Sequence, residues 1–167
     1  MGVQGRISLL IDSPLRSLAI AYRTFPAEVR KQINRHTKTE GQPIWKGEVA
    51  ERAVTRIQHR ALVDTAKVGV TNQNVFLRSA TTGKLRSGAA ASDLAAAAEF
   101  GRPAQAPIAT KSRKGKPYKR TTGDLFGPRR KRGNVVFPAA SESIARFAAL
   151  WIQTTVRTLH ELGEKVK

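Results

Sequence analysis

The chain has 167 residues and a formal net charge of +18, with 30 lysines and arginines against 12 carboxylates and a hydrophobic fraction of 40%. That length fits one domain with a single core, expected over residues 1–167. Cysteine is absent, which excludes disulfide staples, cysteine zinc sites and thiol nucleophiles, and no stretch approaches the roughly 20 apolar residues of a membrane span.

Ser13 before Pro14 reads as an N-cap and first helical residue, with Leu15, Leu18, Tyr22, Phe25, Val29 and Ile33 recurring at three- and four-residue steps. Pro26 should break or kink this helix before it continues to about His36, and Gly41 with Pro43 should mark a turn. A second amphipathic helix is expected from about Ile44 to Leu62, with Trp45, Val49, Ala53, Ile57 and Ala61 on one face. Arg52, Arg56 and Arg60 make a basic stripe on another. It is either a solvated face, with Glu48 paired to Arg52, or a face turned to nucleic acid.

From Ala66 the period becomes two. Ala66, Val68 and Val70, a turn at Thr71-Asn72-Gln73-Asn74, and Val75-Phe76-Leu77 predict a β-hairpin. Leu94 to Phe100 is alanine-rich and fits a strand or a helix. Residues 102–134 read as an extended basic loop without a core of its own. Val135-Val136-Phe137 then predicts a short strand. Beyond Pro138, Ile144, Phe147, Trp151, Thr155, Leu159 and Leu162 trace a long helix ending near Gly163. The expected fold is α+β, with N-terminal helices, a small antiparallel sheet interrupted by the basic loop, and a long C-terminal helix packed on the sheet.

Charge is concentrated in that loop. Lys111, Arg113, Lys114, Lys116, Lys119, Arg120, Arg129, Arg130, Lys131 and Arg132 face only Asp124, so half of the formal charge sits in 22 residues. Such a segment repels itself unless a polyanion, an acidic partner or solvent screens it. The remainder still carries +9, and a nucleic-acid environment is the simplest explanation.

Catalytic chemistry finds little footing. Glu48 and Glu51 have no histidine at ligand spacing, and His36, His59 and His160 lack an evident Asp or nucleophile partner. Gly83-Lys84 and Gly115-Lys116 lack the rest of a P-loop, and no G-x-G-x-x-G occurs. No cofactor, metal or enzymatic activity is expected. A helix-turn-helix, finger or basic zipper is not visible, and Tyr118 and Phe126 alone could stack on bases within the basic segment. Charge without a reading head suits phosphate rather than sequence.

The order Ala97-Ala98-Glu99-Phe100-Gly101, a variable loop, Val135-Val136-Phe137-Pro138-Ala139-Ala140 and a long helix resembles the neck and tail-completion protein family of long-tailed bacteriophages. Thr82-Gly83-Lys84-Leu85-Arg86-Ser87 is similar to a further stretch of that family, although here it follows the hairpin. The resemblance implies a strand ending in Glu-Phe-Gly and a structural virion protein, assembled in the host cytoplasm. It would form a ring of six copies around the DNA passage at the head-to-tail joint. Its partners would be other copies, the neighbouring connector or stopper and tail-tube proteins, and DNA phosphates in the lumen, with no membrane. The basic loop would line the lumen or reach a neighbouring subunit, and Glu99 would pair either across a subunit interface or within the chain. The competing expectation is a sequence-nonspecific nucleic-acid-binding accessory protein.

Overall fold

A computed structural model describes residues 7–8, 22–71 and 75–165. The elements are β1 (Ile7–Ser8), α1 (Ala27–Arg52), the one-turn α2 (Arg56–Gln58) running into a π-helical turn (His59–Val63), β2 (Lys67–Val70), β3 (Val75–Arg78), α3 (Ala91–Phe100), β4 (Pro107–Lys111), β5 (Pro117–Thr121) and α4 (Val136–Lys165). The architecture is α+β. The chain divides into two compact units, residues 1–48, 66–78 and 140–167 in the first and 49–65 and 79–139 in the second.

In the first unit the antiparallel sheet has the order β1-β3-β2, with Val68 opposite Leu77 and Val70 opposite Val75. The alternating apolar residues that predict the hairpin place Val68, Val75 and Leu77 inside. The expected turn residues 72–74 and the expected N-cap at Ser13 lie outside the described residues. β2 is an edge strand whose backbone is engaged by a side chain: Gln42 of α1 donates to the Ala66 carbonyl at 2.8 Å and accepts from the Val68 amide at 3.0 Å. Trp45 Nε1 donates to the Arg78 carbonyl at 2.9 Å.

Helix α1 corrects the expected turn at Gly41 and Pro43, since it runs through both. A Cβ on Gly41 would stand 3.0 Å from Phe147 Cε1, 3.5 Å from Leu150 Cδ2 and 3.6 Å from Val68 Cγ1. The glycine therefore serves close packing of α1 on α4 and β2 rather than chain reversal. Pro43 is exposed, where a proline costs only its own backbone hydrogen bond and local strain that packing elsewhere offsets. The break expected at Pro26 is present, with residues 22–24 helical and α1 starting at Ala27.

The second expected helix is interrupted after Arg52. Thr55 and Gln58 form a capping box, in which Gln58 Oε1 accepts from the Val54 and Thr55 amides at 2.9 and 3.0 Å. These side chains offer the backbone a better partner than helical continuation would.

The long helix α4 buries Phe147, Leu150 and Trp151 along one side. Tyr22, Ile33 and Trp151 form a cluster with Phe25, Val29 and Ala148 against it. Burial pushes the Tyr22 phenol above its ordinary 10.0, against the opposing pull of Arg30 and the hydrogen bond to Asn34. Thr37 Oγ1 lies 2.9 Å from Thr154 Oγ1, so α1 and α4 also meet through small hydroxyl side chains, with Arg157–Glu40 at 2.8 Å and Arg146–Glu48 closing the rim. Replacing Gly41 with valine should lower stability by about 1–3 kcal/mol, because Phe147 has to move. Thermal melting against the parent chain measures it.

Candidate nucleic-acid interface

The second unit carries the basic segment, and one carboxylate fixes where that segment begins and ends. Glu99, at the end of α3, is 4% exposed. Its Oε1 accepts from the Val135 and Phe137 amides at 3.3 and 3.1 Å, and its Oε2 accepts from the Val136 amide at 2.7 Å. The Asn134 amide donates to the Glu99 carbonyl at 2.8 Å. Val136 and Phe137 are the first residues of α4, Pro138 has no N–H, and Ala139 makes the first helical bond, to Val135 at 3.1 Å. All donors of the first turn are thus accounted for by one carboxylate at the positive end of the helix.

This arrangement corrects several expectations. Glu99 is engaged within the chain, so the subunit-interface pair considered for it is not what its carboxylate makes here. Val135-Val136-Phe137 opens a helix rather than forming a strand, because the carboxylate captures three successive amides that a strand would have directed to alternate sides. Glu-Phe-Gly ends a helix, not a strand, in keeping with the run Ala95–Ala98. Phe137 remains 39% exposed, its ring 5.5 Å from that of Phe100.

Residues 102–134, expected to be an extended loop, contain regular structure. β4 and β5 pair antiparallel, with Ala109 opposite Lys119 and Ile108 opposite Arg120. The tip is closed by Ser112, whose amide donates to the Lys116 carbonyl at 2.8 Å and whose carbonyl accepts from the Gly115 amide at 2.9 Å. The base is held by Thr122, whose hydroxyl lies 2.6 Å from the Pro103 carbonyl, and by Phe126, which is 2% exposed. The segment therefore has an anchor, but every residue of β5 is exposed.

All ten basic residues of the segment are exposed, and none forms an ion pair with a described carboxylate. They fall into two groups. Lys111, Arg113, Lys114, Lys116, Lys119 and Arg120 lie on the ribbon and its tip. By register Lys111 and Lys119 are on one face and Arg120 on the other, beside Tyr118. Arg129, Arg130, Lys131 and Arg132 lie on the return to α4, where the Arg130 amide donates to the Phe100 carbonyl at 2.9 Å. Gly101 permits that return, with φ of +72° and a would-be Cβ 2.1 Å from the Pro128 carbonyl oxygen.

The expected stripe Arg52, Arg56 and Arg60 is divided. Arg52 ends α1 and lies 3.9 Å from Glu51. Arg56 and Arg60 line a pocket with Arg86, Ile57, Leu85 and Leu125. Arg86 carries no helical or charge-run signal, and the fold brings it beside Arg56 and Arg60.

Among the described residues no group of three or more His, Asp or Glu is placed to hold a metal ion, and no helix is long and apolar enough to cross a membrane. Comparisons with family models, curated proteins and solved structures find no match to this chain.

Replacing Glu99 with alanine strands the Val136 and Phe137 amides. It should cost about 2–4 kcal/mol, with a glutamine variant between it and the parent chain. Gly133→Ala should also destabilise, since a Cβ there meets Glu99 Oε1 at 2.1 Å and φ is +81°. Denaturant unfolding of the three variants checks both outcomes.

Proposed function

We propose that this chain is a structural protein of a phage head-to-tail joint. It assembles as a ring, of six copies by the family resemblance, around a DNA passage that its basic ribbon contacts through phosphates. The observation that carries this reading is the ribbon. Its cations stand on both faces and at the tip, and every residue of β5 is exposed, which suits a groove or lumen bordered by phosphates rather than a base-reading surface.

Helix α4 supplies a surface for self-assembly. Away from its buried side it exposes Ile152 at 44%, Val156 at 61% and Leu159 at 40%. Arg146, Arg157 and Lys165 offset Glu142, Glu161 and Glu164, so this helix carries no formal net charge in a chain of +18. A second copy can approach α4 without the repulsion it would meet at the basic segment. The order Glu-Phe-Gly, basic excursion, Phe-Pro-Ala and long helix is the part of the sequence that favours the phage family.

The second reading is a sequence-nonspecific nucleic-acid-binding accessory protein that acts as a monomer. It is favoured by the ten exposed cations that pair with no described carboxylate, and needs no role for the apolar stripe of α4.

Light scattering and electron microscopy of the purified chain should show rings, and Val156→Glu should yield a folded monomer. A parent chain that stays monomeric over the concentrations at which virion proteins assemble overturns the ring in favour of the second reading. Duplex binding titrated at several salt concentrations should give a log–log slope of about −0.9 per phosphate contacted. Lys119→Ala with Arg120→Ala should make it shallower by about 2.

A further inference from the structure

The pocket of Arg56, Arg60 and Arg86 is built by three separate stretches of the second unit. Arg56, Ile57 and Arg60 follow the N-cap Thr55 of the capping box, whose Gln58 also donates to the Ala98 carbonyl at 3.1 Å. Leu85 and Arg86 sit on a tight turn in which the Leu85 amide donates to the Ala89 carbonyl and the Gly88 amide to the Leu85 carbonyl, both at 2.8 Å. Leu125 belongs to a 3-10 turn, Gly123–Phe126, anchored by the buried Phe126, and is itself 37% exposed. The walls are therefore held by backbone and cap hydrogen bonds before any ligand arrives.

Three features of the pocket define its ligand. No carboxylate lines it, and none of the three guanidiniums forms an ion pair with a described carboxylate, so the ligand is anionic. Its aliphatic surface is Ile57, Leu85 and Leu125, without the aromatic face on which a nucleobase stacks, and a bare phosphate would leave that surface wet. Its volume is about 190 Å³, below the 300–1,000 Å³ or so of sites that enclose a cofactor or drug-sized molecule. One large aliphatic side chain with its flanking backbone fits. Guanidinium forks match carboxylates in a bidentate manner.

We propose that this pocket docks an acidic peptide segment of a partner protein, with an aliphatic side chain on Ile57, Leu85 and Leu125 and its carboxylates on Arg56, Arg60 and Arg86. This site is independent of the ribbon and of the ring.

The test uses the 167-residue chain in physiological salt and a fluorescein-labelled peptide, Glu-Asp-Leu-Leu-Asp-Glu, followed by fluorescence polarisation. Its control is the same peptide with both leucines replaced by serine. Arg60→Ala, Arg86→Ala and Leu125→Ser, all at exposed positions, should each weaken binding of the leucine peptide about tenfold. The serine peptide should bind about tenfold more weakly to the parent chain, and Lys119→Ala with Arg120→Ala should change leucine-peptide binding less than about twofold. Arg86→Lys keeps charge and stem but loses the fork, and should fall between parent and alanine variant. Equal binding of the two peptides, or equal loss on changing the ribbon, overturns the proposal, since charge alone would then explain it. A single-stranded oligonucleotide whose binding is lost in the pocket variants while peptide binding is kept would make this a nucleic-acid site instead. Thermal melts of each variant confirm that the fold is retained.

Discussion

A carboxylate without water is costly unless hydrogen bonds replace its hydration, and Glu99 meets that cost with three backbone amides at the N-terminus of α4. The partners lie 36 to 38 positions later in the chain, so the bond set closes a long excursion onto one side chain. Everything between α3 and α4 has both ends fixed at this point. The consequence is that the basic segment can be held in place without a core of its own beyond Phe126. Gly101 and Gly133 are the backbone positions that make the closure possible, each by accepting a conformation and a proximity that a side chain would prevent.

Positive charge is sorted by this framework rather than spread evenly. The ribbon presents cations on both faces, the return segment presents a compact basic run beside the end of α3, and a separate trio of arginines shares a pocket with aliphatic side chains. Each arrangement favours a different anion. A ribbon charged all round suits a phosphate-lined passage, whereas a fork-bearing pocket with an aliphatic wall favours a carboxylate attached to an apolar body. Helix α4, formally neutral and apolar on two sides, is the element we propose for contact between like chains.

Much of the first unit was legible in the sequence because its signals are periodic and local. Two-residue alternation in Val68, Val70, Val75 and Leu77 fixes a register, and the three- and four-residue spacing of Ile144, Phe147 and Trp151 defines the long helix. Local preference misleads where a distant partner overrides it. Val135-Val136-Phe137 has strand composition, but a glutamate far back in the chain supplies a helix cap. Gly41 and Pro43 look like a turn until Phe147 and Leu150 are placed beside them. The split of the arginine stripe has the same origin, since Thr55 and Gln58 satisfy the backbone where periodicity alone would continue the helix. The pocket was illegible for a simpler reason: its residues come from three stretches that carry no shared pattern.

The β4–β5 ribbon has consequences for how this chain can change over time. Among the described residues its strands pair only with each other, every residue of β5 is exposed, and its ends are secured by Thr122, Phe126 and Glu99 outside the ribbon itself. Lengthening, shortening or recharging it leaves the packed residues of both units untouched, and added loop length costs only about 0.6 kcal/mol per doubling. The region of greatest charge is thus also the region most open to evolutionary drift, so its dimensions can follow whatever it must fit while the scaffold stays fixed.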